Sequence, residues 1–128
     1  MANPGPLIEK AARAARSAAL LLRNGDIDGA CNRAYYAMFD AARAVLLATG
    51  TEQESTRTHS GLIAAFGLRL VKSGRVERSL GHVLNRAHEI RLIADYTGDL
   101  VDIDLAAWVV EQSAQFVEAM RGLVESPT

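Results

Sequence analysis

Four glycines divide this sequence into helix-length segments. The stretches LLRNG, LLATG, VKSG and DYTG end at Gly25, Gly50, Gly74 and Gly98, and each closes a run with helical spacing of apolar residues. Glycine often ends a helix because it adopts a left-handed backbone conformation at little cost. The sequence has few β-branched runs, no strict alternation of apolar and polar residues, and no Asn-Gly turn. These stops therefore predict five helices and an all-α fold.

The helix boundaries follow from apolar periodicity and from capping residues. We expect helices over about residues 6–23, 27–49, 59–72, 76–96 and 104–124. Pro6 suits the first turn of the first helix, and Asp26 is the expected N-cap of the second. Apolar rows on the third and fourth helices predict these buried residues: Ile63, Phe66, Leu70, Val76, Leu80, Val83, Ala87, Ile90 and Ala94.

Short loops between amphipathic helices make neighbouring helices antiparallel. The expected architecture is therefore an up-and-down bundle of four to five helices. The length of 128 residues suits a single domain over residues 1–128, with a core of about 7–124 and frayed termini.

The charge balance and the single cysteine narrow the class of protein. A net charge of −1 at pH 7 argues against a strongly basic nucleic-acid binder, although it is compatible with a local basic patch. Because Cys31 is the one cysteine, an intramolecular disulfide is excluded, and we expect a reduced, cytoplasmic setting. The N-terminus lacks a signal-peptide core, and no apolar run reaches the roughly 18 residues of a membrane span. We expect no membrane contact, no metal and no cofactor.

The segment HEIRLIADY, residues 88–96, concentrates side chains that can carry chemistry. On a helix, His88, Arg91 and Asp95 share one stripe, at positions i, i+3 and i+7. A guanidinium matches phosphate oxygens with two parallel hydrogen bonds, and an imidazole transfers protons near neutral pH. The alternative is an Arg91–Asp95 ion pair on a solvated face, which contributes less than about 0.5 kcal/mol. Spacing alone favours this alternative.

Several side chains elsewhere could join such a site. His59 opens the third helix, either as part of the site or as a satisfied core residue. Tyr96 could stack on a base, accept a covalent modification or cover the helix end. Arg33 and Tyr36 share a face of the second helix that could meet a partner subunit, because Tyr and Arg are favoured interface anchors. Trp108 lies off the apolar stripe of the fifth helix and marks a further candidate contact surface.

Three stretches in order, NRAYYAMFDAARAVL, RTHSGLIAAF and LNRAHEIRLIADY, resemble the HEPN domain in its small stand-alone bacterial and archaeal branch. In that branch the second helix resembles A-Y-Y-A-M-F-x-A-A-R, the third begins with T-H-x-G, and the fourth ends with R-x-x-A-D-Y. The similarity spans about residues 7–124. It implies a bundle of four or five helices that is usually a symmetric homodimer.

The resemblance also implies a function. Many HEPN proteins are metal-independent ribonucleases, and many are toxins paired with a minimal nucleotidyltransferase antitoxin. Their active site is typically an R-x(4–6)-H motif late in the bundle, where basic residues of both protomers surround one RNA phosphate. In some of these toxins the antitoxin attaches a nucleotide to a nearby tyrosine. The partners implied for this chain are a second copy, a nucleotidyltransferase, and RNA or a nucleotide.

This sequence departs from the R-x(4–6)-H motif. Arg91 stands in the place of the arginine, but residues 96–98, which follow at the motif spacing, are Tyr-Thr-Gly. RNA cleavage without a metal needs a base for the 2′-hydroxyl or an acid for the leaving oxygen. Asp95 beside an arginine is a poor proton-transfer group near neutral pH. His88, one turn earlier, is the substitute on this stripe, and His59 could join it from the neighbouring helix.

Two hypotheses follow from the sequence. The first is a dimeric ribonuclease or RNA-binding module of a toxin–antitoxin pair, with Arg91 on the phosphate, His88 and Asp95 beside it, and Tyr96, Arg33, Tyr36 and His59 shaping the surrounding groove. The second is a non-catalytic helical domain that binds a nucleotide or a partner, in which the Arg91–Asp95 pair is structural.

Overall fold

The computed structural model describes residues 3–97 and 101–125. These two ranges contain five α-helices: α1 Gly5–Arg23, α2 Ile27–Ala48, α3 His59–Phe66, α4 Arg78–Leu92 and α5 Ile103–Glu125. A 3₁₀ turn, Gln53–Thr56, precedes α3, and the π-helical turns Gly67–Val71 and Ile93–Thr97 follow α3 and α4. No strand occurs within the described ranges, and the predicted all-α class is confirmed. None of their helices is long and apolar enough to cross a membrane.

Three of the predicted glycine stops have a backbone conformation that favours glycine. Gly25, Gly50 and Gly74 have φ angles of 85°, 92° and 84°. A side chain at such a position would clash with the local backbone, whereas glycine has no Cβ. Gly98 and the tail 126–128, which we expected to end a helix and to fray, lie outside the described residues.

Side-chain caps mark the starts of α2 and α3. Asp26 caps α2 as predicted, since its Oδ1 accepts a 2.9 Å hydrogen bond from the backbone N–H of Gly29. Thr58 Oγ1 accepts a 3.0 Å bond from Gly61 in the same way, directly before His59. The cap of α3 therefore fixes His59 as the first residue of this helix.

Removing the cap of α2 should destabilise the bundle. We expect Asp26→Ala to lower the free energy of unfolding by about 1 kcal/mol, because a first-turn N–H loses its acceptor. Urea unfolding followed by circular dichroism measures this change. Glu77→Ala is the matched control, because Glu77 is the N-cap of α4 and makes no side-chain cap bond. Equal losses in the two variants would contradict the role of Asp26.

Helix α2 is the centre of the bundle, since it contacts α1, α3, α4 and α5. Much of its buried surface is alanine, and small side chains let neighbouring helices approach closely: Ala30, Ala34, Ala37, Ala41, Ala42 and Ala44. The start of α3 and the end of α4 meet α2 beside Tyr35 and Tyr36. This packing brings His59 and the segment 88–95 to one place.

Six of the nine side chains predicted to be buried on the third and fourth helices are buried: Phe66, Leu70, Val76, Ala87, Ile90 and Ala94. Leu62 and Leu84 are fully buried, whereas Ile63, Leu80 and Val83 are only half-buried, which corrects the prediction. Periodicity identifies the apolar residues of a helix, but it does not determine how far the neighbouring helices cover each of them. The position of α2 decides which row points inward.

Candidate functional site

Polar and aromatic side chains from α2, the start of α3 and the end of α4 meet around one arginine. We call this group the Arg91 cluster, and its members are Asn32, Tyr35, Tyr36, His59, His88, Arg91, Asp95 and Tyr96. His88 and Asp95, the two ends of the stripe predicted from the sequence, thus lie in one cluster with Tyr35 and Tyr36 of α2. The cluster joins residues from three helices that are far apart in the chain.

Arg91 is buried, with 8% of its surface exposed. Its Nη2 donates a 3.2 Å hydrogen bond to the hydroxyl of Tyr36, and its Nε lies 2.8 Å from Oδ2 of Asp95. The contact with Asp95 is an ion pair without hydrogen-bond geometry, so the Nε–H has no hydrogen-bond acceptor. The hypothesis of a pair on a solvated face is wrong for Arg91, because the arginine is enclosed.

Three tyrosine rings surround the guanidinium. The distances from Arg91 Cζ to the ring centres are 5.8 Å for Tyr35, 5.3 Å for Tyr36 and 5.4 Å for Tyr96. Aromatic faces attract a cation, and this attraction strengthens when water is excluded. Tyr96 is 70% exposed and therefore forms the outer wall of the cluster. These contacts hold the guanidinium of Arg91 at one location.

Asp95 is oriented by residues of two helices. Its Oδ2 accepts a 3.0 Å hydrogen bond from Nδ2 of Asn32 and pairs with Arg91. Asp95 lies in the π-helical turn Ile93–Thr97, a wider turn than an α-helix makes and one that is common at functional sites. Sequence reasoning missed Asn32, although it begins the first stretch that resembles the family. Its position four residues before Tyr36, on the same face of α2, is the signal that points to it.

Two imidazoles stack at the base of the cluster. The ring centres of His59 and His88 are 5.2 Å apart, with 24° between their planes. Nδ1 of His59 lies 2.7 Å from the Tyr35 hydroxyl, and the ring of His88 lies 5.1 Å from the Tyr35 ring. Burial, together with the charge of Arg91, lowers the pKa of both imidazoles below the ordinary value of 6.5. Both rings are therefore mainly neutral at pH 7, the form that accepts a proton.

The lowered pKa values predict how stability depends on pH. The unfolded chain protonates these imidazoles near pH 6.5, whereas the folded chain does so only at lower pH. The contribution of the two neutral imidazoles to the free energy of unfolding is therefore complete above the pKa of the unfolded chain. It is lost as the pH falls through the lowered pKa values of the folded state. We expect the urea concentration at the midpoint of unfolding to decrease as the pH is lowered from about 7.5 to about 5.5.

The double variant His59→Gln/His88→Gln should show a flatter decline over the same range. His82→Gln is the control, because His82 is exposed on another part of α4. A decline as steep in the double variant as in the wild type would contradict the assignment of this pH dependence to the stacked pair.

Arg33 makes none of the described contacts that define the Arg91 cluster, and its charge acts on Asp40 instead. Burial raises the pKa of Asp40, and the charges of Lys10, Arg43 and Arg33 oppose this rise. Lys10 Nζ lies 3.9 Å from Oδ2 of Asp40, which connects α1 to this face of α2. The structure thus gathers six of the seven predicted site residues and places Arg33 beside Asp40.

Other expectations from the sequence concern Cys31 and Trp108. Cys31 is buried, and burial raises the pKa of its thiol to about 11, so it is a core residue. Trp108 is 37% exposed. Within the two described ranges, no three His, Cys, Asp or Glu side chains are grouped so that they could hold a metal ion.

The fold and the cluster define a small helical bundle with a buried arginine between imidazoles and phenols. The HEPN domain matches residues 6–126, and the chain belongs to the HEPN domain family. A UPF0332 protein of Thermotoga maritima is 40% identical over 111 residues, which cover 84% of this chain and 80% of that protein. The resemblance found in the three sequence stretches is confirmed.

Two relatives from Methanocaldococcus jannaschii are named as candidate toxins. One is 33% identical over 115 residues, covering 90% of this chain and 84% of that protein. The other is 32% identical over 90 residues, covering 70% of this chain and 59% of that protein. The chain is therefore similar to two proteins that carry this name.

Proposed function

We propose that this chain is the toxin of a toxin–antitoxin pair and acts as a metal-independent RNA endonuclease at the Arg91 cluster. The observation that carries the proposal is the convergence of a buried arginine with two stacked imidazoles. In the proposal, Arg91 is the phosphate ligand and the two imidazoles are the proton-transfer groups. They replace the histidine that usually follows the arginine in this family and that is missing after Arg91. The names of the two archaeal relatives support the role as a toxin.

The proposed reaction uses the RNA's own 2′-hydroxyl as nucleophile. An imidazole of the His59–His88 pair removes the 2′-hydroxyl proton, and the oxygen attacks the adjacent phosphorus. The bond to the 5′-oxygen breaks as that oxygen takes up a proton from water, leaving a 2′,3′-cyclic phosphate and a free 5′-hydroxyl, and the imidazolium then returns its proton to the solvent. Arg91 binds the phosphoryl oxygens and stabilises the negative charge that they gain in the transition state.

We also propose that two copies of the chain share this site and that a nucleotidyltransferase is the antitoxin. The outer side of the cluster faces solvent, since Tyr96 is 70% exposed and both imidazoles are only half-buried. A second copy docked against this side would bring a second Arg91 towards the same phosphate. The exposed Tyr96 is the residue of the cluster that an antitoxin reaches first. Sedimentation of the purified protein tests the homodimer.

The endonuclease proposal is tested with a labelled single-stranded RNA in the presence of EDTA. We expect cleavage that leaves 2′,3′-cyclic phosphate ends, because no metal takes part in the proposed steps. A DNA oligonucleotide of the same sequence is the matched control, since it lacks the nucleophilic hydroxyl and should stay intact. Intact RNA, or equal cleavage of the two strands, would overturn the proposal.

The Arg91–Asp95 pair favours a second candidate function, a nucleotide- or partner-binding domain without catalysis. Nε and Nη2 form the side-on edge with which a guanidinium binds a phosphate through two hydrogen bonds. In this structure Asp95 and the Tyr36 hydroxyl occupy that edge. A carboxylate at this edge repels an incoming phosphate. An arginine that only stabilises the fold needs no free edge, which is why the pair favours a domain without catalysis.

Asp95→Asn tests what the carboxylate does. We expect the variant to bind a single-stranded oligonucleotide on the order of tenfold more tightly, because a negative charge beside Arg91 is removed. Fluorescence anisotropy measures the binding. Glu89→Gln is the matched control, since Glu89 is an exposed carboxylate on the same helix, 3.0 Å from Arg86. Tighter binding without RNA cleavage in either protein would favour the binding domain, and unchanged binding would show that Asp95 does not compete with phosphate.

A further inference from the structure

The hydroxyl of Tyr35 is buried against an imidazole. Tyr35 is 0% exposed, and its hydroxyl oxygen lies 2.7 Å from Nδ1 of His59. A buried hydroxyl proton without an acceptor is destabilising, because the hydrogen bond that it made to water in the unfolded chain is not replaced. In a neutral imidazole one ring nitrogen accepts a hydrogen bond and the other carries the proton. If Nδ1 accepts from Tyr35, the proton of His59 resides on Nε2.

We propose that Tyr35 is a positioning residue that locks neutral His59 in the Nε2–H tautomer. His59 then presents a hydrogen-bond donor to the RNA phosphate, and His88 is the base that takes the 2′-hydroxyl proton. The assignment of these two roles rests on the proposed endonuclease function. The tautomer itself rests on the geometry of Tyr35 and His59 alone.

The groups that face His59 favour this arrangement. From α2, the ring of Tyr36 lies 5.9 Å away and that of Phe39 5.3 Å away. From α4, His88 stacks on the ring, and the positive charge of Arg91 opposes protonation of His59. If Nδ1 carried the proton instead, it would point at the Tyr35 oxygen, and the buried hydroxyl proton would lose its acceptor.

His88 is free to act as the base. In the part of the chain that the structure describes, neither ring nitrogen of His88 makes a hydrogen bond to another protein group. Its ring is held by stacking on His59 and by the contact with the Tyr35 ring. A lone pair on His88 therefore stays available to the substrate, whereas the Nδ1 lone pair of His59 is taken up by Tyr35. The same tyrosine thus separates the roles of two neighbouring imidazoles.

Long-range ¹H–¹⁵N correlation of the histidine rings measures the tautomer directly. At a pH where both rings are neutral, we expect the spectrum of the wild-type protein to show His59 in the Nε2–H form. Tyr35→Phe should increase the Nδ1–H fraction of His59 and leave the pattern of His88 unchanged. Tyr36→Phe is the matched control, because it removes a hydroxyl that bonds Arg91, and the His59 tautomer should not change.

Kinetics of the same variant separate positioning from a merely structural role. We expect Tyr35→Phe to lower kcat for RNA on the order of tenfold and to change the pH profile, with KM nearly constant. A wild-type Nδ1–H form, or an unchanged tautomer in Tyr35→Phe, overturns the inference and leaves the endonuclease proposal standing. If wild-type His59 is the Nε2–H form but RNA stays intact, the lock is supported and the catalytic roles are overturned together with the proposed function. The wild-type spectrum decides the tautomer even if Tyr35→Phe fails to fold.

Discussion

Under the proposed mechanism, Arg91→Ala should lower the rate of RNA cleavage by about 10²–10³-fold, because it removes the donors assigned to the transition-state phosphate. Expression of the variant should also fail to arrest growth under conditions where the wild-type protein does. Arg91 is the member of the cluster that supplies a guanidinium, whose planar arrangement of N–H donors matches phosphate oxygens. Cleavage rates on single-stranded RNA and growth curves measure the two effects.

Two further variants at arginine positions make this test specific. Arg91→Lys keeps a positive charge but loses the side-on edge, so its rate should fall between those of the wild type and Arg91→Ala. Arg86→Ala is the matched control on the same helix, because Arg86 is exposed and pairs with Glu89. Its cleavage rate should stay within about twofold of the wild type. Rapid cleavage by Arg91→Ala would remove the arginine from the mechanism, provided that circular dichroism shows a folded bundle.

His88→Ala should lower kcat by about 10²–10⁴-fold, the range that general base catalysis contributes. Because Arg91, the proposed phosphate ligand, is retained, the affinity for RNA should change little, and the loss should appear in turnover. Added imidazole should restore part of the rate, since it can fill the vacated space and accept the proton. Single-turnover kinetics with and without imidazole measure both effects.

His82→Ala is the control for this experiment, because it removes an exposed imidazole of the same helix. Combining His88→Ala with His59→Ala should cost less than the product of the single losses, since groups that act as a unit are not additive. A loss of RNA affinity with an unchanged turnover rate would instead assign His88 to RNA binding and remove it from the proton transfer.

The helices of this protein are readable from its sequence because their determinants are local. Left-handed glycines, the Asp26 cap and the spacing of apolar residues act within a few positions of where they stand. The stripe of His88, Arg91 and Asp95 follows from helical geometry in the same way. The exposure of Arg91 does not, because the sequence does not show which neighbour covers a helix face.

The contacts that give the candidate site its chemistry join residues far apart in the chain. Tyr35 and His59 are 24 positions apart, Tyr36 and Arg91 are 55 apart, and Asn32 and Asp95 are 63 apart. No local pattern encodes these pairs, since they depend on how α3 and α4 cross α2.

The sequence by itself determined the all-α class, the helix boundaries to within a few residues, and the family. The tertiary structure alone decided that Arg91 is buried, that two imidazoles stack beside it, and that Asn32 and the Tyr36 hydroxyl bond the Arg91–Asp95 pair. The physical reason is that helix formation depends on hydrogen bonds and caps within one segment, whereas burial and pKa depend on atoms that other segments bring into contact.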